Sequence, residues 1–368
     1  GIGLRPRDKI GSITIGDANT GDITLSMASL QTIINGAGIA GSISIESAGN
    51  VVFEGPTGAN FDTAIVISDE YVFQSGITSL RLGKTDNTSA DIRVNTPISI
   101  AGPISLFGAD VTVNENLNTT GGGSAGDVLL KGSGDISVAS SKSITTAGRD
   151  ITLWSNSDGE TTNGGYITLG NATTLDTRTA ADRTADDGTS NDTGGGTITL
   201  GGDSTSTTLA SGTVVPTGYA LKATGDQVGG IEFGTTANAG IALNSGGGDI
   251  VLRGKSTEGF SGSGAESNGI LLHGGLTIDA GSNGDITMDG QGQNGTFNGG
   301  IYTGYQLLVG NTEIRTVDGD ISLTGKSLGG GTSGKRGVLL QANDANSLTI
   351  EAKGTGGVSI VGDAGTSG

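Results

Sequence analysis

The residues best equipped for chemistry in this chain are carboxylates. A Gly-Asp pair followed by a β-branched residue recurs along it, and Asp249, Asp285 and Asp320 of that motif stand 36 and 35 residues apart. Neighbouring strands lie ~4.8 Å apart, so a chain winding with that period would stack these carboxylates. Glycoside hydrolysis needs two carboxylates about 5–9.5 Å apart, and columns of oxygen suit Ca2+. Asp beside Gly also bonds its own turn backbone. Recurrence at every turn of the motif favours this turn-forming role, as does Gly357 standing at the same place in the last repeat. Calcium held by Asp249, Asp285 and Asp320 is the alternative, and catalysis the third reading. Ser133-Gly134-Asp135 and Asn283-Gly284-Asp285 resemble fragments of a nonapeptide calcium roll but lack its tandem repeat.

Other chemistry is scarcer. His273 is the one histidine and there is no cysteine, which excludes His triads, multi-His metal sites, disulfides and thiolate zinc. His273 reads as an outward or corner residue after a strand. Asp186 and Asp187 are adjacent but sit in a Thr-rich stretch rather than on a rigid strand. Runs such as Gly121–Gly123 lack the Gly-Lys-Ser/Thr ending of a phosphate loop. Trp154, Phe297, Tyr302 and Tyr305 could stack on sugars, with Phe297, Tyr302 and Tyr305 the best patch; core packing or loop anchoring is the competing use. No catalytic residue and no cofactor other than calcium is expected.

The elements that would position these residues are very short strands. Gly-Asp-β-branched-small-Leu/Val/Met appears at Gly21–Leu25, Gly134–Val138, Gly248–Leu252, Gly284–Met288 and Gly319–Leu323. Each is a turn followed by period-two alternation. In the C-terminal third, three strand classes follow one another. The first has Gly before Ile231, Ile270, Ile301 and Val338. The second is centred near Ile241, Ile278, Ile314 and Leu348. The third carries Ile250, Ile286, Ile321 and Val358. The connection from third class back to first, such as Gly254 to Asn268, reads as a surface loop. Strands this short do not make an ordinary hairpin domain, but they make a solenoid in which each strand lies beside its counterpart one coil on. The fold expected is all-β: a right-handed parallel β-helix (β-solenoid) with three short strands per repeat and long Gly/Ser/Thr loops. One short helix is expected at Ser26–Asn35, from its apolar spacing and the Gly36 stop.

The whole of 1–368 reads as one continuous solenoid. Its N-terminal part, 1–120, is less regular, although Ile92, Ile98, Ile104 and Val111 are spaced 6, 6 and 7. A polar Thr/Asp-rich excursion occupies 171–196, and regular repeats of about 36 residues fill 228–362. Composition agrees: 71 Gly, 48 Thr and 36 Ser in 368 residues, with only 33% hydrophobic. A net charge of −18 repels phosphate, so nucleic acid is not an expected partner. No apolar run is long enough for a membrane-spanning helix. The chain opens on Gly, without a charged-then-apolar leader, which reads as a mature or excised piece of a longer protein.

Ile77-Thr78-Ser79-Leu80-Arg81-Leu82-Gly83, Ile98–Ile104, Gly148–Asp158 and Gly164–Gly170 resemble the large filamentous-haemagglutinin-like exoproteins of bacteria. So does the piece around Leu25–Ile34 followed by a strand at Ile43. The resemblance covers most of residues 20–325. It implies a right-handed parallel β-helix in a large secreted or cell-surface protein, a stalk or adhesin whose repeat region has no catalytic residues. The function expected is a non-enzymatic structural segment, an adhesin shaft or extracellular filament subunit. Its partners would be itself or adjoining solenoid segments end to end, with surface glycans as possible ligands. The alternative is a carbohydrate-binding or carbohydrate-cleaving β-helix.

Overall fold

A computed structural model describes residues 13–16, 19, 21–26, 43–46, 50–54, 65–67, 71–120, 126–184, 192–223, 229–234, 239–257, 266–293, 297–303, 310–328, 335–342 and 345–365. Nearly every regular element is a strand, and strands one coil apart pair in parallel. The chain forms a parallel β-helix with three strands per turn, wound in the right-handed sense of parallel crossovers.

The three strand classes become three faces. On the third face, Ile23, Val51, Leu80, Ile104, Val128, Ile151, Ile198, Ile250, Ile286, Ile321 and Val358 follow one another in register. Eleven strands at ~4.8 Å per step make a stack about 48 Å long. The first face aligns Ile65, Ile92, Val111, Ile136, Ile167, Ile231, Ile270, Ile301 and Val338. The second aligns Ile98, Leu117, Ile144, Leu175, Leu243, Ile278, Ile314 and Ile350. Near the N-terminus a separate sheet of Ile13–Gly16, Ile43–Glu46 and Tyr71–Phe73 takes the place of that second face. The inward residues form one aliphatic core, and each fully buried Ile or Leu contributes about 1.5–3 kcal/mol.

The corner between the second and third faces carries a column of hydroxyls. Thr119, Thr146, Thr177 and Thr316 are fully buried there. Their hydroxyls donate to the carbonyls of Gly126 (2.6 Å), Arg149 (2.5 Å), Gly196 (2.6 Å) and Gly284 (2.9 Å). Each therefore ties the end of one face to the beginning of the next, and no buried hydroxyl in this set is left unsatisfied.

Several expectations need correction. Leu243 and Ile350, not Ile241 and Leu348, stand in register with Ile278 and Ile314; alternate apolar residues on one strand do not distinguish a shift of two. The Gly-Asp motif serves two faces, Ile136 lying on the first and Ile250 on the third. The stretch Gly254–Asn268 is not a loop throughout: strands Ile250–Ser256 and Glu266–Leu272 take up both its ends. Residues 79–120 are the tightest part of the solenoid rather than an irregular one. Ile92, Ile98, Ile104 and Val111 mark one complete coil of 19 residues. The 171–196 excursion starts later, since Thr174–Asp176 is an ordinary second-face strand with Leu175 in the core. Ser26 closes strand Ile23–Ser26, and the rest of the helix expected at 26–35 lies outside the described residues.

Candidate functional surface

Asp249, Asp285 and Asp320 do stack, and the hydrogen bonding gives them a use. Each carboxylate Oδ1 accepts the backbone N–H of the residue one coil on: Asp249 from Asp285 (3.0 Å), Asp285 from Asp320 (2.7 Å) and Asp320 from Gly357 (2.8 Å). Like charges ~4.8 Å apart in water repel by about 1 kcal/mol. A hydrogen bond to a charged acceptor returns about 1.5–3 kcal/mol, so the ladder is net favourable. In the same way Asp110 Oδ1 accepts the Asp135 N–H (2.9 Å) and the amide oxygen of Asn116 accepts the Ser143 N–H (2.8 Å). Among the described residues, no three of His, Asp and Glu converge as metal ligands.

A β-arm covers part of the third face. Strand Ile198–Thr208 runs past the core and turns into Val214–Gly218, its antiparallel partner. The arm folds back over earlier coils. Trp154 Nε1 donates to the Asp203 carbonyl (2.7 Å), Ser211 Oγ to Asp150 Oδ2 (2.6 Å) and Thr213 Oγ1 to Asp127 Oδ2 (3.0 Å). The Oδ1 atoms of Asp127 and Asp150 accept the N–H groups of Asp150 (3.1 Å) and Thr197 (2.7 Å). Both oxygens of each carboxylate are thus engaged. Trp154 is buried with Lys131 Nζ 4.2 Å above its ring, and burial lowers the Lys131 pKa. Trp154 anchors the arm and presents no open ring to a sugar.

Of the aromatic patch Phe297, Tyr302 and Tyr305, the side chain of Tyr302 alone is described. Tyr302 is 2% exposed, in register between Leu271 and Leu339. Phe297 opens strand Phe297–Thr303, and Tyr305 lies outside the described residues, as do Asp186 and Asp187. Asp182 serves its own helix, Ala180–Thr184. Its carboxylate accepts the Thr179 hydroxyl (2.6 Å), while the Asp182 N–H donates to Thr179 Oγ1 (3.1 Å), a reciprocal cap.

Two acidic features had no local signature. Asp135 on the first face is pushed up to about 6 by burial and then by the Asp110 carboxylate, against the opposing Tyr166 N–H. Burial and the Asp135 charge raise the Tyr166 hydroxyl in turn. One coil on, Glu232 is nearly buried, with Oε1 3.4 Å from His273 Nε2 and Oε2 without a partner. Thr168 stands in register with Glu232, and its hydroxyl is also buried without a partner. Glu232 and His273 are 41 residues apart, so only the coil geometry brings them together.

An open groove of about 380 Å3 crosses the first coils of the third face. Asp22, Thr24, Asn50, Ser79, Arg81 and Ser105 are among its lining residues. No protein-family model, no curated protein and no solved structure matches the chain.

Proposed function

We propose that this chain is a non-enzymatic structural segment of a secreted or cell-surface bacterial β-solenoid, an adhesin shaft or filament subunit. The observation that carries this reading is the unbroken in-register stack of eleven strands over a continuous aliphatic core. Such a stack resists bending because successive coils are tied by parallel ladders on their faces, and the last four also by the Asp column. The polar chemistry supports the same reading, since the stacked aspartates are committed to backbone N–H groups. The resemblance at Ile77–Gly83, Ile98–Ile104, Gly148–Asp158 and Gly164–Gly170 supports a bacterial surface location. Negative-stain imaging of the isolated chain tests this: rods about 48 Å or more in length support it, and rounded particles overturn it.

A second reading is favoured by the groove at Asp22, Asn50, Ser79 and Arg81. Its mixture of hydroxyls, amide and charges is of the kind that binds carbohydrate. A glycan array probed with the wild type and with Arg81→Ala tests it: a hit lost in the variant establishes binding. Reducing-sugar release from polysaccharides would turn that reading into cleavage.

A further inference from the structure

The lengthened third-face strands Ile250–Ser256, Ile286–Gly292 and Ile321–Ser327 alternate inward and outward residues along their whole length. Two of the outward rows run Arg253–Asp289–Thr324 and Lys255–Gln291–Lys326, aligned coil by coil. Arg253 and Lys255 are half-buried and Lys326 is exposed. Three cations thus share a small flat grid with one carboxylate, in a chain whose net charge is −18.

Cations elsewhere are paired: Lys142 with Glu115, Arg178 with Asp176 and Arg315 with Asp279, each at 2.9 Å. Among the described residues, none of Arg253, Lys255 and Lys326 forms an ion pair. Asp289 is the register partner of Arg253, yet its Oδ2 accepts the Tyr219 hydroxyl (2.6 Å), which in turn accepts from Gln291 Nε2 (2.6 Å). Burial, then the bond to Asp289, raises the Tyr219 pKa, so the hydroxyl keeps its proton and its hold on the carboxylate. Asp363 is the register partner of Lys326, and its Oδ1 accepts the Gly365 N–H (2.8 Å). Both carboxylates beside the cations are held by other donors.

We propose that this grid binds a linear polysaccharide bearing uronate carboxylates. The guanidinium of Arg253 takes a carboxylate bidentately, the two lysines act as point charges, and the Thr324 hydroxyl meets sugar hydroxyls. Lys255 and Lys326 stand two coil steps apart, ~9.6 Å by strand spacing. A polysaccharide with a carboxylate on every second ring repeats at close to that interval. Each strand of a nucleic-acid duplex carries a charge about every 3.4 Å, a density that the acidic remainder of the chain repels more strongly. The proposal goes beyond the shaft reading and is separate from the groove at Arg81.

Fluorescence anisotropy of labelled hyaluronan oligosaccharides, titrated with the 368-residue chain, tests it. The wild type should bind, more weakly as salt rises, and should leave neutral dextran unbound. Lys255→Ser and Lys326→Ser should each weaken binding about threefold and together about tenfold, with the melting temperature unchanged. Asp289→Asn should tighten it about threefold, by removing the one carboxylate of the grid. Tyr219→Phe should weaken it by freeing Asp289 to pair with Arg253, and adding Asp289→Asn to that variant should restore it; a merely structural tyrosine would show no such rescue. Arg81→Ala should bind as the wild type does. No binding of hyaluronan, binding unchanged in the double lysine variant, or tighter binding of single-stranded DNA would each overturn the proposal. Loss of binding in Arg81→Ala would move the glycan to the groove and overturn it too, and the rod shape that tests the shaft reading is measured separately.

Discussion

The coils from Leu80 to Ile151 and those from Ile250 to Val358 enclose the same core with different amounts of chain. In the first region successive third-face strands are 24, 24 and 23 residues apart. In the second they are 36, 35 and 37 apart. The inward Ile, Leu and Val positions repeat unchanged, so the extra residues lie outside the core. They lengthen the strands: Ile104–Gly108 and Val111–Val113 become Ile286–Gly292 and Phe297–Thr303. The lengthened strands of the first and third faces meet backbone to backbone along a glycine seam. A Cβ on Gly290 would stand 2.0 Å from the Gly300 oxygen, and one on Gly300 2.2 Å from the Lys326 nitrogen. The difference teaches that the core cross-section is fixed by aliphatic stacking, while coil length is free wherever glycine lets two strands run together.

The sharpest way to break the comparison is at the seam. Gly300→Val meets backbone on two sides, so it should unfold the expanded coils while the compact ones persist. Stacked coils interact with their neighbours only. Limited proteolysis should release the C-terminal third and leave a resistant piece around 79–155; cooperative loss of the whole chain would contradict the division. Next in size, Ile104→Ala and Ile286→Ala should each cost about 2–5 kcal/mol. The two values should agree closely, because both side chains are fully buried in one core, and denaturant melts measure them.

How much of this was legible in the sequence follows from the same contrast. The three strand classes stood out after residue 228 because regular 36-residue spacing repeats the Gly and Asp corners. The compact coils looked less regular because their corners vary, as at Asn116 and Asp110, while only the inward row is constant. The Glu232–His273 contact was not legible, since a whole coil separates its members. The arm at 198–218 was hidden because a Ser/Thr run carries no inward period once it leaves the core. The hydroxyl corner escaped notice because Thr119, Thr146, Thr177 and Thr316 look like polar surface residues until their carbonyl acceptors are seen.

Smaller effects sharpen the account of the aspartates. Asp285→Ala removes one acceptor from the ladder and should cost about 1–2 kcal/mol. Asp285→Asn keeps the acceptor and should be near neutral, as Asn116 already shows in its own column. Asp135 differs, because its carboxyl is raised in the folded state to about 6. Its contribution to stability is greatest below the ordinary Asp value and is lost as pH rises through about 6. Asp135→Asn should therefore raise the stability at pH 8 by about 1 kcal/mol after solvent screening, and change it little at pH 3. Equal effects at both pH values would deny the burial.

The central claim is that residues one coil apart lie side by side. The chain has no cysteine, so introduced thiols report on it cleanly. Thr287 and Ser322 are direct register partners on the outer side of the third face, within the Cα separation a disulfide accepts. The double variant Thr287→Cys/Ser322→Cys should oxidise to a single intramolecular disulfide with the melting temperature kept or raised. Thr287→Cys/Thr324→Cys, two residues out of register, should not. Free thiols in the first variant with ready oxidation in the second would contradict the stacked-coil account.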